Sequence, residues 1–372
     1  MTFSPPIVYV RGVSPVPDQI NNAGTVSISD PDISPQPLVF NYTDTSIVEA
    51  IETITVPAGT FKTLRVRDTL RIFGTSQGLT FDETIVETDW YARYIGGVQA
   101  VVTYTSGTET AILTSTNVTP PIFSSILPSS RSVQVNTPAT AFVTIVNPSG
   151  ATATGCSLSP VTNLPAVFLY QTTDPLTNTL TGTPNTPATI APEASQSFVM
   201  SFTPTVAFSP TDVELQFECS NTDAATTFVG LNTLLLSASD TPIPDIVALA
   251  ATTSGDGIAN IAGAMGSGAF AVATANVGAT GPITASVDTG GVTLPVSPSI
   301  CETNPATGLC LSPAQSSALT TINSNDTATF AIFLNGSATI PFDPANNRIF
   351  VRFTDFSGVI RGSTSVAVQT VQ

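Results

Sequence analysis

The residues able to do chemistry are few, and their types decide much of what the chain does. There is no histidine, which removes Ser-His-Asp and Cys-His nucleophile systems and every imidazole metal ligand. Lys62 is the only lysine, and no S-x-x-K motif precedes it. GDGIANIAGAMGSGAF, from Gly255 to Phe270, is rich in glycine. It lacks the Gly-Lys-Ser/Thr ending that holds a phosphate and the strand-to-helix context of a dinucleotide loop. The 26 acidic residues include no Asp or Glu flanked by the aromatic platforms on which glycosidases hold sugars. The expectation is a protein that is not an enzyme and uses no cofactor.

The remaining site chemistry is calcium, which takes oxygen ligands from flexible loops. Asp30 and Asp32 in SDPDISP, and Asp240, Asp245 and Asp256 around a Pro-rich join, place carboxylates in turns. None has EF-hand spacing. Asp240, Asp245 and Asp256 are the candidate calcium ligands at an interdomain seam, with turn formation as the competing reading. The four cysteines fall into two pairs, Cys156 with Cys219 and Cys301 with Cys310. Neither has C-x-x-C spacing, so disulfides are expected, with a four-cysteine zinc site as the alternative. Disulfides imply an oxidising compartment and a secreted, extracellular or cell-surface protein.

Composition narrows the partners. Charged residues make up 10% of the 372 residues and the net charge is −16. Nucleic acid is excluded as a partner because phosphate contacts need a basic footprint. No run reaches the ~18 apolar residues of a membrane helix, so no membrane insertion is expected. The opening MTFSPPIVYV is no signal peptide, and an exported chain is expected to begin at a processed N-terminus. Lys62, Arg65, Arg67, Arg71 and Arg93 cluster near the N-terminus, and Arg131 is the only basic residue from there to Arg348.

The 30 Pro and 25 Gly interrupt the chain too often for long helices, and the abundant Thr and Ser suit strands and turns. An internal repeat organises the C-terminal part. AFVTIVN (141–147) matches AFAVATAN (269–276), and SFVMSFTPTVAFSPTDVELQFECSNTD (197–223) matches TFAIFLNGSATIPFDPANNRIFVRFTD (329–355). Both long segments share Phe-x-Pro, at Phe208 and Phe342. Each copy offers about seven short strands, the pattern of an antiparallel sandwich. Cys156 to Cys219 suits an inter-sheet disulfide or a strand edge, whereas Cys301 to Cys310 closes a local loop. Phe142, Phe198, Phe202 and Phe217 are core candidates. Pro242 and Pro244 make the join semi-rigid.

Residues before the repeat alternate around a Pro-Ala-Gly turn in ETITVPAGTFKTLRVRDTLRIF. Arg65, Arg67 and Arg71 share one face, and Glu83, Glu87 and Asp89 share parity on a nearby strand, which predicts a ladder of exposed ion pairs. The fold expected is all-β: an N-terminal curled antiparallel sheet domain (1–118) followed by two immunoglobulin-like β-sandwiches (119–245 and 246–372).

AFVTIVNPSGATATGC, and PDIVALA leading to AFAVATANVG, resemble the adhesin-type immunoglobulin-like modules of bacterial and archaeal surface proteins. VPAGTFKTLRV followed by WYARYIGGV resembles uncharacterised exported and lipoprotein β-domains, in which a sheet curls around an apolar interior. The resemblance implies export and transfers no catalytic residue. The function expected is a non-enzymatic subunit of a bacterial surface assembly, a filament, sheath or surface layer. It would join itself or other cell-surface proteins through β-strand contacts, with PPIVYVRGV and TSVAVQTVQ as candidate pairing strands. A monomeric adhesin or ligand-binding module for glycan, lipid or protein is the alternative.

Overall fold

Every regular element among the described residues is a strand, as the Thr, Val and Ile content and the frequent Pro and Gly require. The computed structural model describes residues 1–4, 16–30 and 32–371, and PPIVYVRGV lies outside them.

The first seven strands are β1 (Thr2–Ser4), β2 (Asp18–Ile28), β3 (Leu38–Val56), β4 (Gly59–Ser76), β5 (Leu79–Ala92), β6 (Gly96–Tyr104) and β7 (Gly107–Ile112). They pair in chain order into one curled antiparallel meander. β3 and β4 have 19 and 18 residues, about 60 Å at ~3.3 Å per residue. Val56 pairs with Gly59, so Pro57 and Ala58 form the hairpin turn. A register shift between Val48 and Ala50 changes which parity of β3 meets which of β4. Val66, Asp68 and Ile72 are buried on one face of β4, while Phe61 and Thr63 are buried on the other. The apolar interior is thereby divided in two. One cluster holds Val26, Leu38, Phe40, Tyr42 and Ile72. The other holds Val56, Phe61, Ala92 and Val98, and Ala151 from the next unit packs on it.

The next unit is a two-sheet sandwich. Its strands are β8 (Phe123–Leu127), β9 (Ser130–Gln134), β10 (Ala139–Asn147), β11 (Ala153–Pro160), β12 (Ala166–Thr173), β13 (Ala188–Ile190), β14 (Ala194–Pro204), β15 (Phe208–Glu218) and β16 (Thr233–Ser239). The sheets are β12-β14-β10-β8 and β13-β11-β15-β16-β9. The last unit has β17 (Ile246–Thr252), β18 (Ile258–Ala262), β19 (Ser267–Asn276), β20 (Gly281–Asp288), β21 (Val296–Thr303), β22 (Ser317–Ile322), β23 (Thr327–Gly336), β24 (Arg348–Asp355) and β25 (Ile360–Val371). Its sheets, β21-β23-β19-β17 and β22-β20-β24-β25-β18, repeat the first sandwich strand for strand.

The sandwiches have more strands than the expected seven, and one pair in each is parallel: β9 with β16, and β18 with β25. The first strand of each unit is split, so that its second half joins the opposite sheet. Pro128, lacking an N–H, cannot continue the ladder after β8. In the second unit the turn at Gly255 and Gly257, both at positive φ, makes the same break. β25 pairs with β24 from Ile360 to Ala367 and with β18 from Ala367 to Val371, so TSVAVQTVQ as far as Val371 is already engaged within its own sheet.

Burial alternates along β10 and β19, and the inward sets build one core per unit. Phe198, Phe202 and Phe217 fill the first; Phe330, Ile332 and Phe353 fill the second. Phe142 is 41% exposed, because Ala141 and Val143 occupy the inward positions on either side. The Phe-x-Pro residues also differ, since Phe208 packs against the first core and Phe342 is exposed. Asn147 and Asn276 end the equivalent strands β10 and β19, both wholly buried. The Asn147 amide donates to the carbonyls of Ala151, Ile190 and Ala191, and that of Asn276 to Ala279 and Ile322. Each asparagine ties the end of one sheet to the opposite sheet's edge strand.

Both disulfides form, Cys156–Cys219 and Cys301–Cys310. Cys156 lies in β11 and Cys219 directly after β15, neighbours in the same sheet. This disulfide links two adjacent strands, whereas an inter-sheet link would have to cross the space that the core phenylalanines fill. Cys301–Cys310 closes a loop next to the Thr303–Cys310 bridge.

Candidate functional site

The three candidate calcium ligands are separated by their own bonding. Asp245 is 3% exposed; its Oδ2 meets Arg131 Nη2 at 2.8 Å and Nε at 3.0 Å. Its Oδ1 accepts the Ser132 N–H at 2.9 Å. Asp256 closes the β17–β18 turn, accepting from the Ser254 hydroxyl at 2.6 Å and the Ile258 N–H at 2.9 Å; these bonds hold its carboxyl below the usual range. Asp240 offers Gln134 its backbone carbonyl. Asp30 accepts the Asp32 N–H, an Asx-type turn. Among the described residues no group of three or more His, Cys, Asp or Glu is placed to hold a metal ion. Asp256 and Asp30 thus shape turns, and Asp245 forms an ion pair.

That ion pair lies in a polar seam between the two sandwiches. Arg131 sits on β9, and Asp245 immediately precedes β17; their side chains are 10% and 4% exposed. Arg131 Nη1 also donates to the Thr140 carbonyl at 2.6 Å. Ser130 Oγ donates to the Ser363 carbonyl at 3.1 Å and accepts the Ser363 N–H at 2.6 Å. Ser365 Oγ donates to the Gly230 carbonyl at 2.9 Å. Arg361 pairs with Asp355 at 2.6 Å and reaches across to Ser132 Oγ at 3.2 Å. Burial pushes the Asp355 carboxyl up, but the Ser357 hydroxyl, the Val359 N–H and Arg361 outweigh it and hold it below the usual range. Arg348, 7% exposed, is lowered to about 10 by burial. A side chain at Gly230 would meet the Phe350 ring, its Cβ 2.5 Å from that ring. A cleft of about 350 Å³ opens beside the seam, lined by Arg131, Gln134, Pro242 and Val277 among others. Arg131 with Asp245 and Arg361 with Asp355 satisfy one another, and Arg348 donates to the Pro344 carbonyl and Ser365.

The front sheet meets the first sandwich through the β10–β11 turn. Lys62 N–H donates to the Gly150 carbonyl at 2.7 Å, and Gly150 N–H to the Arg93 carbonyl at 3.1 Å. Lys62 Nζ pairs with Glu193 at 2.6 Å.

On the front sheet the expected ladder is replaced. The register sets Asp68 opposite Glu87 and Val66 opposite Asp89, so these acids lie on the face away from Arg65, Arg67 and Arg71. The arginines pair with Glu49, Glu52 and Asp82, and Glu49 reaches them because it is the residue displaced by the β3 bulge. Trp90 Nε1 donates to Glu52 at 2.7 Å. On the other face Asp44 and Asp68 are buried, and their Oδ1 atoms have no hydrogen-bond partner among the described residues. Burial pushes Asp68 up to about 6, with repulsion from Asp44, Asp89 and Glu87 adding to it. Burial also raises Asp44, Glu87 and Asp89, and pushes Tyr91 up to about 12. Asp44 and Asp68 escaped the sequence reading, although both sit at inward positions of an alternating strand.

No family model matches the chain. No curated protein matches it either. Solved structures that match include domains 4–9 of the surface layer protein SbsC, at 12% identity and a TM-score of 0.24, over 87% of this chain and 47% of that one. A protein of unknown function from Porphyromonas gingivalis W83 matches at 11% identity and a TM-score of 0.21, over 67% of this chain and 99% of that one. The chain thus spans about half the length of the SbsC structure, and at these TM-scores neither likeness carries an argument.

Proposed function

We propose that this chain is a non-enzymatic structural subunit of an extracellular surface assembly, in which a rigid pair of immunoglobulin-like sandwiches acts as a building block. The observation that carries the reading is the seam. Arg131 with Asp245, and Arg361 with Ser132, hold one sandwich to the next, and Asp355 fixes Arg361 in place, which suits a stiff building block. The immunoglobulin-like assignment is supported by the strand order. β8-β10-β14-β12 follows the A-B-E-D sheet, and β16-β15-β11 the G-F-C sheet. The missing tryptophan and the intra-sheet disulfide depart from antibody domains. Two disulfides and no free cysteine agree with an oxidising, extracellular location.

The test is the oligomeric state of the full-length protein, by sedimentation over a concentration series and electron microscopy of the concentrated sample. Ordered, concentration-dependent assemblies are expected. A monodisperse monomer throughout, with saturable glycan or lipid binding, would replace this reading with that of a monomeric adhesin.

A further inference from the structure

The outer faces of the two four-stranded sheets are equivalent in register and opposite in character. In the first sandwich Phe142 lies between Leu127 on β8 and Val199 on β14, and Val146 is opposite Phe123. Val167 and Leu169 extend the face onto β12. Phe123, Leu127, Phe142, Val146, Val167 and Leu169 are 54, 53, 41, 37, 55 and 45% exposed. In the second sandwich the place of Phe142 is taken by Ala271, between Ala251 and Ala331. Ala275 stands for Val146, and Ser297 and Ser299 for Val167 and Leu169. Leu249 and Phe333 are exposed there, each opposite an alanine, Ala273 and Ala269. The topology therefore does not demand large apolar residues on this face. The first sandwich carries them where its twin carries Ala and Ser.

We propose that this face of the first sandwich is a self-association surface that packs against the same face of a second copy of the chain. The inference rests on the structural reading above and names the surface through which it acts. Three observations select a second copy. Strands β8, β10, β12 and β14 contain no charged residue, whereas the chain carries −16. Two such copies repel and can approach closely only where charge is absent. The area suits a pair: four strands ~4.8 Å apart, of 5, 9, 8 and 11 residues at ~3.3 Å each, give about 520 Å² per copy, or about 1,050 Å² in total. That clears the ~1,000 Å² of a specific contact and falls near the reversible end of the range. Finally, a pleated face with alternating apolar residues is self-complementary, so two copies related by a two-fold axis stack as sheets do in a sandwich.

The full-length chain provides the test, by sedimentation velocity over a concentration series. The wild type is expected to form a reversible dimer. The triple variant Phe142→Ala, Val146→Ala, Leu169→Ser, which installs residues found at the same places in the second sandwich, is expected to weaken that dimer at least tenfold. The control Leu249→Ala leaves it unchanged. A second measurement does not depend on the triple variant folding. Thr144→Cys, at the centre of the face, gives a dimer with a short bis-maleimide, and Ala273→Cys, its equivalent in the second sandwich, gives none. Equal dimerisation of wild type and triple variant, or no Thr144→Cys cross-link, overturns the proposal. If ordered assemblies persist in the triple variant, this face is wrong and the structural reading stands. A wild type that is monomeric at every concentration removes both.

Discussion

The first and second sandwiches share one strand order, one buried asparagine at the end of the equivalent strand, and phenylalanines at equivalent core places, Phe198 with Phe330 and Phe217 with Phe353. They differ in their disulfides, in the outer face of the four-stranded sheet, and in which side of the seam supplies which charge. The shared set closes and fills the sandwich. The divergent set is what the fold leaves free, so it records what each copy does beyond folding. A repeat of this kind supplies its own control: a residue present in one copy and absent from the other is not required by the topology.

The comparison is broken most severely at the seam that joins the twins. Arg131→Ala leaves Asp245 buried without its countercharge, at a cost of about 3 to 5 kcal/mol. Calorimetry should then resolve two unfolding steps where the wild type has one. Arg131→Met combined with Asp245→Leu should recover most of that loss, since removing both charges leaves none stranded. An Arg131→Ala variant that unfolds as the wild type does would show the twins to be independent.

The disulfides sharpen the contrast. Their loops span 63 and 9 residues. Loop-closure entropy predicts a loss of about 4 kcal/mol for Cys156→Ser with Cys219→Ser, and about 2.5 kcal/mol for Cys301→Ser with Cys310→Ser. Chemical denaturation of the two double variants, compared under the same conditions, checks the order.

The front sheet, a single meander among the described residues, supplies the contrasting case. Asp68 titrates at about 6 when folded, against its ordinary value of 3.8, so the folded sheet binds more protons than the unfolded chain between those values. Its contribution is fully present below about pH 4 and is lost as pH rises to about 6. Asp68→Asn should therefore stabilise the sheet at neutral pH by about 2 kcal/mol and flatten its acid-side dependence, read from melting temperature against pH. The smallest effect is expected on the opposite face, where Arg65→Ala removes half-exposed pairs with Glu49 and Glu52 and costs under ~1 kcal/mol.

Legibility followed locality. The repeat, the Pro-Ala-Gly hairpin and the core phenylalanines Phe198, Phe202 and Phe217 were readable because alternation and turn residues act over a few positions. Phe142 was misassigned because an aromatic in an alternating strand signals a face without saying which face is inward. The arginine ladder failed for a similar reason. The β4–β5 register sets Asp68 opposite Glu87 and Val66 opposite Asp89, and no pattern within either strand marks that pairing. Arg131 did stand out, as the lone basic residue in a long acidic stretch, but nothing in the sequence pointed to Asp245 as its partner rather than to a metal.

By itself the sequence determined that the chain is all-β, that its C-terminal part is built twice, and that no histidine chemistry is available. Those properties belong to composition and short-range periodicity. Only the tertiary structure decided that Cys156 and Cys219 lie side by side in one sheet, that Asp245 is consumed by Arg131, and that the apolar residues of β8, β10 and β12 gather on one uncharged face. Each depends on register between strands distant in the chain, which is fixed by the fit of whole sheets and not by any segment alone.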